Sequence, residues 1–570
     1  MHPRSPQIAL RWSALPKCLA GVFVALGATL ATLPTQAEPV VLPPRAPTPP
    51  IAARPGDLFE DVTQRAGIGF VQQFCHRGIM NILLSNGSGG TAFDYDGDGL
   101  VDLYLLNWGP REGVTGEPAG TPREPNRLYR NRGDGTFEDM TAKAGLAGNS
   151  YASAACVGDF DNDGHPDVFV AGIGRNELYR NRGDGTFEDV TARAGVTSDR
   201  AGISATFVDV DHDGLLDLYV CNYLTYIPDR ASEQNPGAYP GPLAYAGQAN
   251  VLYRNRGDGT FVDITREAGL YSPGQRGMAV TAFDCDRDGD SDLYVSNDDT
   301  PNQLWLNDGK GRFREIGVEA GVAFNSIGEA PGSMNAAIGD SDGDGLTDIF
   351  VTRLGYGSLY ARTAQGLYDD RMWASGLGRL TQKYVGWGGE FLDHDNDGDL
   401  DLVVANGSAF VLDGTDTLLL ANDGRGNFTD ASAAGGAFFT TPVNGRGNAA
   451  LDYDNDGRMD FLITGLADRA FLLRNRAATG NHWLKLVLEG TTSNRSGYGA
   501  LLTVRAGDLT LTGESRAPTG FLMQSDARPH FGLGPRTKVD RLEIRWPSGR
   551  VQVLTDIPAD QILKVKEPQS

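Results

Sequence analysis

The sequence predicts an all-β protein: a seven-bladed β-propeller with calcium-binding blade loops, followed by a small C-terminal β-rich domain. Three observations carry this expectation: a nine-residue aspartate loop recurs seven times, a hairpin unit follows the loops, and the two ends of the array complement each other. Repeats of about 50 residues point to a ring or solenoid rather than to several unrelated domains. Over 570 residues the chain has a formal net charge of −23, is 40% apolar and holds 75 glycines, which fits a turn-rich globular protein. The charge has the wrong sign for phosphate, so no nucleic acid is expected as partner. A cation is the natural counter-ligand.

Residues 1–37 read as a secretory signal. Arg4, Arg11 and Lys17 precede an apolar run from Leu19 to about Leu33, and Thr35-Gln36-Ala37 supplies a small-residue cleavage site. The expected location is secreted or periplasmic, with no transmembrane segment after cleavage; a signal anchor is the alternative. Residues 38–56 hold seven prolines and read as a semi-rigid linker. Cys75, Cys156, Cys221 and Cys285 match no zinc spacing, which leaves disulfides and buried free thiols both open.

Each aspartate loop has Asp at positions 1, 3, 5 and 9 and Gly at position 6, while position 7 offers a backbone carbonyl. The first loop is Asp94, Asp96, Asp98 and Asp102, with Leu100 at position 7. The second is Asp159, Asp161, Asp163 and Asp167, with His165. The third is Asp209, Asp211, Asp213 and Asp217, with Leu215. The fourth is Asp284, Asp286, Asp288 and Asp292, with Asp290. The fifth is Asp340, Asp342, Asp344 and Asp348, with Leu346. The sixth is Asp393, Asp395, Asp397 and Asp401, with Asp399. The seventh is Asp452, Asp454, Asp456 and Asp460, with Arg458.

Alternate carboxylates on a tight loop converge on a common centre, which suits a hard cation taking six to eight oxygens. Ca²⁺ is expected over Mg²⁺, which prefers fewer protein ligands. Up to seven structural Ca²⁺ are therefore expected, because a site saturated by protein oxygens has no open position for a substrate.

The hairpin unit starts at Leu128, Leu178 and Leu252 and, in looser form, at Leu304, Leu359 and Leu418. Two short alternating runs joined through a Gly-Asp-Gly turn read as a hairpin. With the strands entering and leaving the loop, each repeat has the four strands of a propeller blade. The seventh repeat stops at Arg476 without a fourth strand, and Leu58–Gly67 is an orphan fourth strand. Joined, they close the ring over residues 57–477 and leave no free edge.

The largest insertions, Asn107–Arg127 and Asn222–Asn250, fall between second and third strands, on the face opposite the aspartate loops. The second carries Tyr223, Tyr226, Tyr239 and Tyr245, so it is expected either to bind a partner or to cover the central channel. Residues 481–566 carry no aspartate loop but alternate as strands in Trp483–Leu488, Leu501–Arg505, Leu509–Thr512, Val539–Trp546 and Ile562–Lys566.

The seven D-x-D-x-D-G-x-x-D loops and the strands after them resemble the FG-GAP/VCBS repeat proteins, whose seven-bladed propeller is similar to the integrin α head. Gly497-Tyr-Gly-Ala500, His530-Phe-Gly-Leu-Gly534 and Trp546-Pro-Ser-Gly549 resemble the ASPIC/UnbV domain. Together they resemble bacterial members of the cartilage acidic protein family. That resemblance implies a secreted calcium-binding protein in adhesion or matrix contexts, contacting an unknown protein or glycan.

Arg-Gly-Asp occurs at Arg132–Asp134, Arg182–Asp184 and Arg256–Asp258, always at the hairpin turn, and turn geometry accounts for it. His165, His212 and His394 lie inside loops and read as solvated side chains. No G-x-S-x-G elbow, Walker loop or Cys/His nucleophile pattern is present. The expectation is a non-enzymatic contact protein; the alternative is an extracellular hydrolase or lyase acting on a polymer at the channel mouth.

Overall fold

The computed structural model describes residues 46–74, 78–117, 120–228, 230, 232 and 239–569. The signal segment, the first part of the linker and Cys75 lie outside the described residues. Among those described, Cys156, Cys221 and Cys285 are free, buried thiols.

The protein is nearly all β. Each aspartate loop joins the first two strands of a four-stranded antiparallel sheet of its repeat. In the second repeat the strands are Tyr151–Gly158, Asp167–Ile173, Glu177–Asn181 and Phe187–Asp189, hydrogen-bonded in chain order. The register at the loop is the same in all seven sheets: the residue before the first Asp pairs with the ninth-position Asp, as Phe93 with Asp102 and Leu451 with Asp460. One backbone closure therefore serves every loop.

First strands of consecutive sheets pack on one another, and that of the seventh, Gly445–Leu451, packs on that of the first, Gly90–Phe93. The seventh sheet is completed from the other end of the array. Phe59–Asp61 pairs antiparallel with Ala470–Asn475, with Phe59 opposite Asn475 and Asp61 opposite Leu473. This strand is shorter than the expected 58–67, because the chain turns at Val62, whose carbonyl accepts the Ala66 N–H.

The described part of the linker is docked and not a free tether. Ile51 N–H donates to Asp61, Thr48 binds Asp468, and Arg469 donates to the carbonyls of Thr48 and Pro49. One-turn helices absent from the sequence reading follow several fourth strands, as at Thr141–Ala144 and Thr191–Ala194. A hydroxyl pins their starts: Thr141 Oγ1 donates to Asp139 at 2.6 Å and accepts the Leu128 N–H at 2.9 Å.

The C-terminal domain packs two sheets around Leu484, Leu502, Leu542 and Trp546. One sheet orders His530–Gly534, His482–Glu489 and Gln561–Lys566; the other orders Leu509–Ser515, Ala500–Ala506, Lys538–Arg545 and Val551–Pro558. Residues 517–526 leave this domain and enter the centre of the ring. Met523–Gln524 adds a parallel strand to Gly90–Thr91. Gln524 Oε1 accepts the Val157 N–H, Thr519 Oγ1 donates to Val280 O, Phe521 N–H donates to Asn335, and Asp526 N–H donates to Ala450 O. Phe521 and Leu522 share a core with Trp387, Trp108 and Leu83.

From the opposite face the same core receives Tyr223, Leu224 and Tyr245 of the second insertion. Tyr223 and Tyr245 are buried, and Tyr223 donates its hydroxyl to Asp298 at 2.5 Å. The two tyrosines therefore fill the channel and do not form an exposed platform.

Candidate metal centres

Two left-handed residues shape each loop. Position 6 is always Gly with positive φ, from 82° at Gly457 to 104° at Gly289. Position 4 is also left-handed, as Gly97, Asn162, His212, Arg287, Gly343, Asn396 and Asn455, a requirement the sequence reading missed. Asn tolerates this conformation, and at position 4 it also reaches the next repeat: Asn162 Nδ2 donates to Gly214 O, and Asn455 Nδ2 to Gly99 O.

The turned backbone then satisfies the carboxylates in a fixed order. Oδ2 of the first Asp accepts the N–H of the position-6 glycine in every loop, at 2.7 to 3.1 Å. Oδ1 of the fifth accepts the N–H of position 7. The ninth Asp accepts two N–H groups, one from position 2 and one from the third strand: Asp102 takes Tyr95 N at 3.0 Å and Asn131 N at 2.7 Å.

What remains points inward. Oδ1 of Asp96, Asp211, Asp342, Asp395 and Asp454, all position 3, is buried with no hydrogen-bond partner, and so is Oδ1 of Asp209. Carboxylate oxygens of Asp94, Asp96 and Asp102 lie within 4.8 Å of one another; so do those of Asp159, Asp161 and Asp167, of Asp284, Asp286 and Asp292, and of Asp209, Asp211 and Asp213. Burial, and then neighbouring carboxylates, push Asp102 up to about 8 and Asp159, Asp209, Asp284 and Asp340 to about 6. Orphaned inward oxygens and mutually repelling carboxylates fit a hard cation, whose charge would hold them ionised. The clustered acids could hold metal ions.

The side chains at position 7 have a separate task. Leu100, His165, Leu215, Asp290 and Asp399 lie over the first glycine of the hairpin turn, where a Cβ on Gly133 would come within 3.1 Å of Leu100 and one on Gly183 within 2.3 Å of His165. Gly133 and Gly183 are the glycines of Arg-Gly-Asp sequences. Asp134 in turn accepts the Thr136 N–H at 3.0 Å and hydroxyl at 2.6 Å, so the tripeptide is part of a self-bonded turn.

The histidines need correction. His165 follows the packing just described, but His394 is buried with Nδ1 on Asp401, in a group with Asp395 and Asp401, and His212 Nε2 lies 2.8 Å from Asp290. Two of the three are bonded within the loop layer, and of these His394 is buried while His212 stays partly exposed.

The hairpin Asn was also missed. Asn131 Nδ2 donates to Val101 O within its own loop and, at 2.7 Å, to Tyr453 O of the seventh repeat, so it bonds the two ends of the array. Asn181, Asn255, Asn307, Asn422 and Asn475 make the corresponding pair of bonds to their own loop and the preceding one. The signal was the Asn shared by these hairpins. In the fifth repeat Arg362 stands there, with Nε and Nη1 buried and unpartnered.

The seventh loop differs in charge. Lys485 of the C-terminal domain is fully buried with Nζ 3.0 Å from Asp452 Oδ2 and 3.7 Å from Asp526. Arg474 lies 2.8 Å from Asp454, and Arg458 contacts Asp456. In the first loop Arg130 pairs with Asp96 and Asp98.

Among the described residues no helix is long and apolar enough to cross a membrane. Human cartilage acidic protein 1 is 27% identical over 317 residues, 53% of this chain and 38% of that protein. The mouse protein is 26% identical over 337 residues, 56% of this chain and 42% of its own length. The chain thus spans about two fifths of the curated relatives it matches. Among solved structures, an Agrocybe aegerita lectin described by its recognition of non-reducing terminal N-acetylglucosamine shows 17% identity and a TM-score of 0.38, covering 67% of this chain and 87% of the lectin. The ASPIC and UnbV family matches residues 490–570. The model of the FG-GAP-like repeat matches 94–170, 159–220, 243–295, 284–351 and 393–463, and the chain belongs to that family.

Proposed function

We propose that this is a secreted, calcium-stabilised seven-bladed propeller that makes protein or glycan contact, without catalysis, through the face opposite its aspartate loops. Calcium holds the loops other than the seventh, where Lys485 occupies Asp452: positions 1, 3, 5 and 9 supply carboxylates and position 7 a carbonyl. The observation that carries the contact reading is the distribution of apolar surface on the opposite face. With Tyr223 and Tyr245 turned inward, Leu243 of the same insertion is 63% exposed and Phe410, its ring tilted against Tyr239, is 55% exposed, with Ile227 and Val411 also exposed. Exposed apolar residues grouped on loops that the repeat does not require mark an interaction surface.

The test is a glycan array and capture from extracellular material in calcium. Native protein is expected to retain a defined partner, and the variant combining Leu243→Asp with Phe410→Asp to lose it at unchanged melting temperature and calcium content. Full retention by that variant, with loss on altering the turn Arg182–Gly185, would move the contact to the loop side.

A further inference from the structure

The repeat itself shows what the fold requires at each position, so a residue that breaks it stands out. Three residues before the first Asp, the first strand carries Thr91, Cys156, Thr206, Thr281, Ala337 and Ala449 in six repeats, all small and uncharged. In the sixth repeat this position is Glu390, in the same register, opposite Val403. Nothing in blade packing calls for a carboxylate there.

Glu390 faces an open cavity of about 560 Å³ bordered by the fourth to seventh repeats and the C-terminal domain. That volume is in the range of small-molecule sites. From the C-terminal side, Glu514 and Arg516 line the same space. Each has one anchoring bond: Glu390 accepts the Ser525 hydroxyl at 3.1 Å, Glu514 accepts the Asp284 N–H at 3.1 Å, and Arg516 donates to Ile338 O at 2.9 Å.

Three of the other charged groups lining the cavity are engaged elsewhere, while Arg287 and the loop carboxylates Asp284, Asp340, Asp393 and Asp399 also border it. Arg528 is paired with Asp526 at 2.7 Å, Glu543 with Arg541 at 2.7 Å, and Arg545 donates to Asp288 O. Arg516 is within electrostatic reach of both glutamates, yet no ion pair joins the three among the described residues. Two carboxylates and a guanidinium thus face one cavity without pairing directly, an arrangement that an occupant bearing no charged groups would leave uncompensated.

We propose that this cavity binds a small zwitterion, a free amino acid or a molecule of the same charge pattern, with its carboxylate on Arg516 and its ammonium group between Glu390 and Glu514. A guanidinium presents two parallel N–H donors to a carboxylate, and an ammonium group has three donors for the two glutamates. The site is separate from the contact face and does not depend on that reading.

The experiment is calorimetric titration of the calcium-loaded full chain with the free amino acids, followed by the N-acetyl and methyl ester forms of whichever binds. Saturable binding is expected, weakened at least tenfold by either blocking group. Glu390→Gln, which keeps an acceptor for Ser525, and Arg516→Gln should each weaken it at least tenfold at unchanged calcium content. Absence of binding by every free amino acid, or equal binding of the blocked forms, would overturn the proposal. Loss of a calcium ion in Glu390→Gln would also overturn it, by making the cavity a cation site. The blocked ligands test native protein, so the answer does not depend on either variant folding.

Discussion

Lys485→Met tests how the C-terminal domain is joined to the ring. The ammonium group is fully buried, 3.0 Å from Asp452 and 3.7 Å from Asp526, and methionine keeps an unbranched chain in its place. Removing one partner of a buried pair costs about 3–5 kcal/mol because the other charge is stranded. Asp526 retains Arg528 at 2.7 Å, so only Asp452 is stranded and the cost should lie near the lower end, about 3 kcal/mol. Asp452 is also the first residue of the seventh loop. With the lysine gone, a divalent cation in that loop can neutralise it, and at a hundredfold excess over Kd binding restores about 2.7 kcal/mol.

The variant should therefore lose about 3 kcal/mol relative to native protein in chelator and only a few tenths in excess calcium. Urea unfolding in the two conditions reads this, together with calcium content by atomic absorption, which should rise by one tightly bound ion. Equal losses in both conditions with unchanged metal content would refute the reasoning.

Two further predictions concern single side chains. Arg362→Asn should stabilise the ring by about 1–2 kcal/mol, because Asn can bond Cys285 O of the preceding repeat as the hairpin Asn of the other six repeats does, and two buried unpartnered nitrogens disappear; an unchanged urea midpoint would count against the inter-repeat role of that Asn. Burial would raise the Glu567 carboxyl, but the Ser548 hydroxyl and the N–H groups of Thr491, Thr492 and Ser493 outweigh it and hold it at about 2. Its contribution is then full above the ordinary value of 4.5 and is lost as pH falls from there through about 2, so Glu567→Gln should flatten the acid limb of the stability curve in that window.

The loop layer was largely legible in the sequence, because its information is local. Asp at 1, 3, 5 and 9 with Gly at 6 specifies a turn and a set of oxygens within nine residues, and the observed register places Asp102 and its equivalents opposite the residue that enters the loop. The left-handed fourth position was in the same nine residues but unread, because Gly, Asn, His and Arg share no side-chain chemistry and only the backbone unites them. The hairpin Asn was visible as a shared letter, but its acceptors belong to the neighbouring repeat. His394 was misread for a similar reason: a polar residue in an acidic loop looks solvated until its burial is known.

The sequence by itself determined the repeat, the strand and hairpin units, and the complementary ends, all properties of short stretches with fixed turn chemistry. Only the tertiary structure decided what occupies the centre. The 517–526 segment bonds to the first repeat, more than four hundred residues earlier, the tyrosines of the second insertion turn into the same core, and Lys485 meets Asp452 across the domain junction. None of these partners is specified by local spacing. The physical reason is that a ring brings all of its first strands to one axis, so a single buried segment can satisfy donors and acceptors from every repeat, and which segment does so depends on shape and burial that no window of sequence contains.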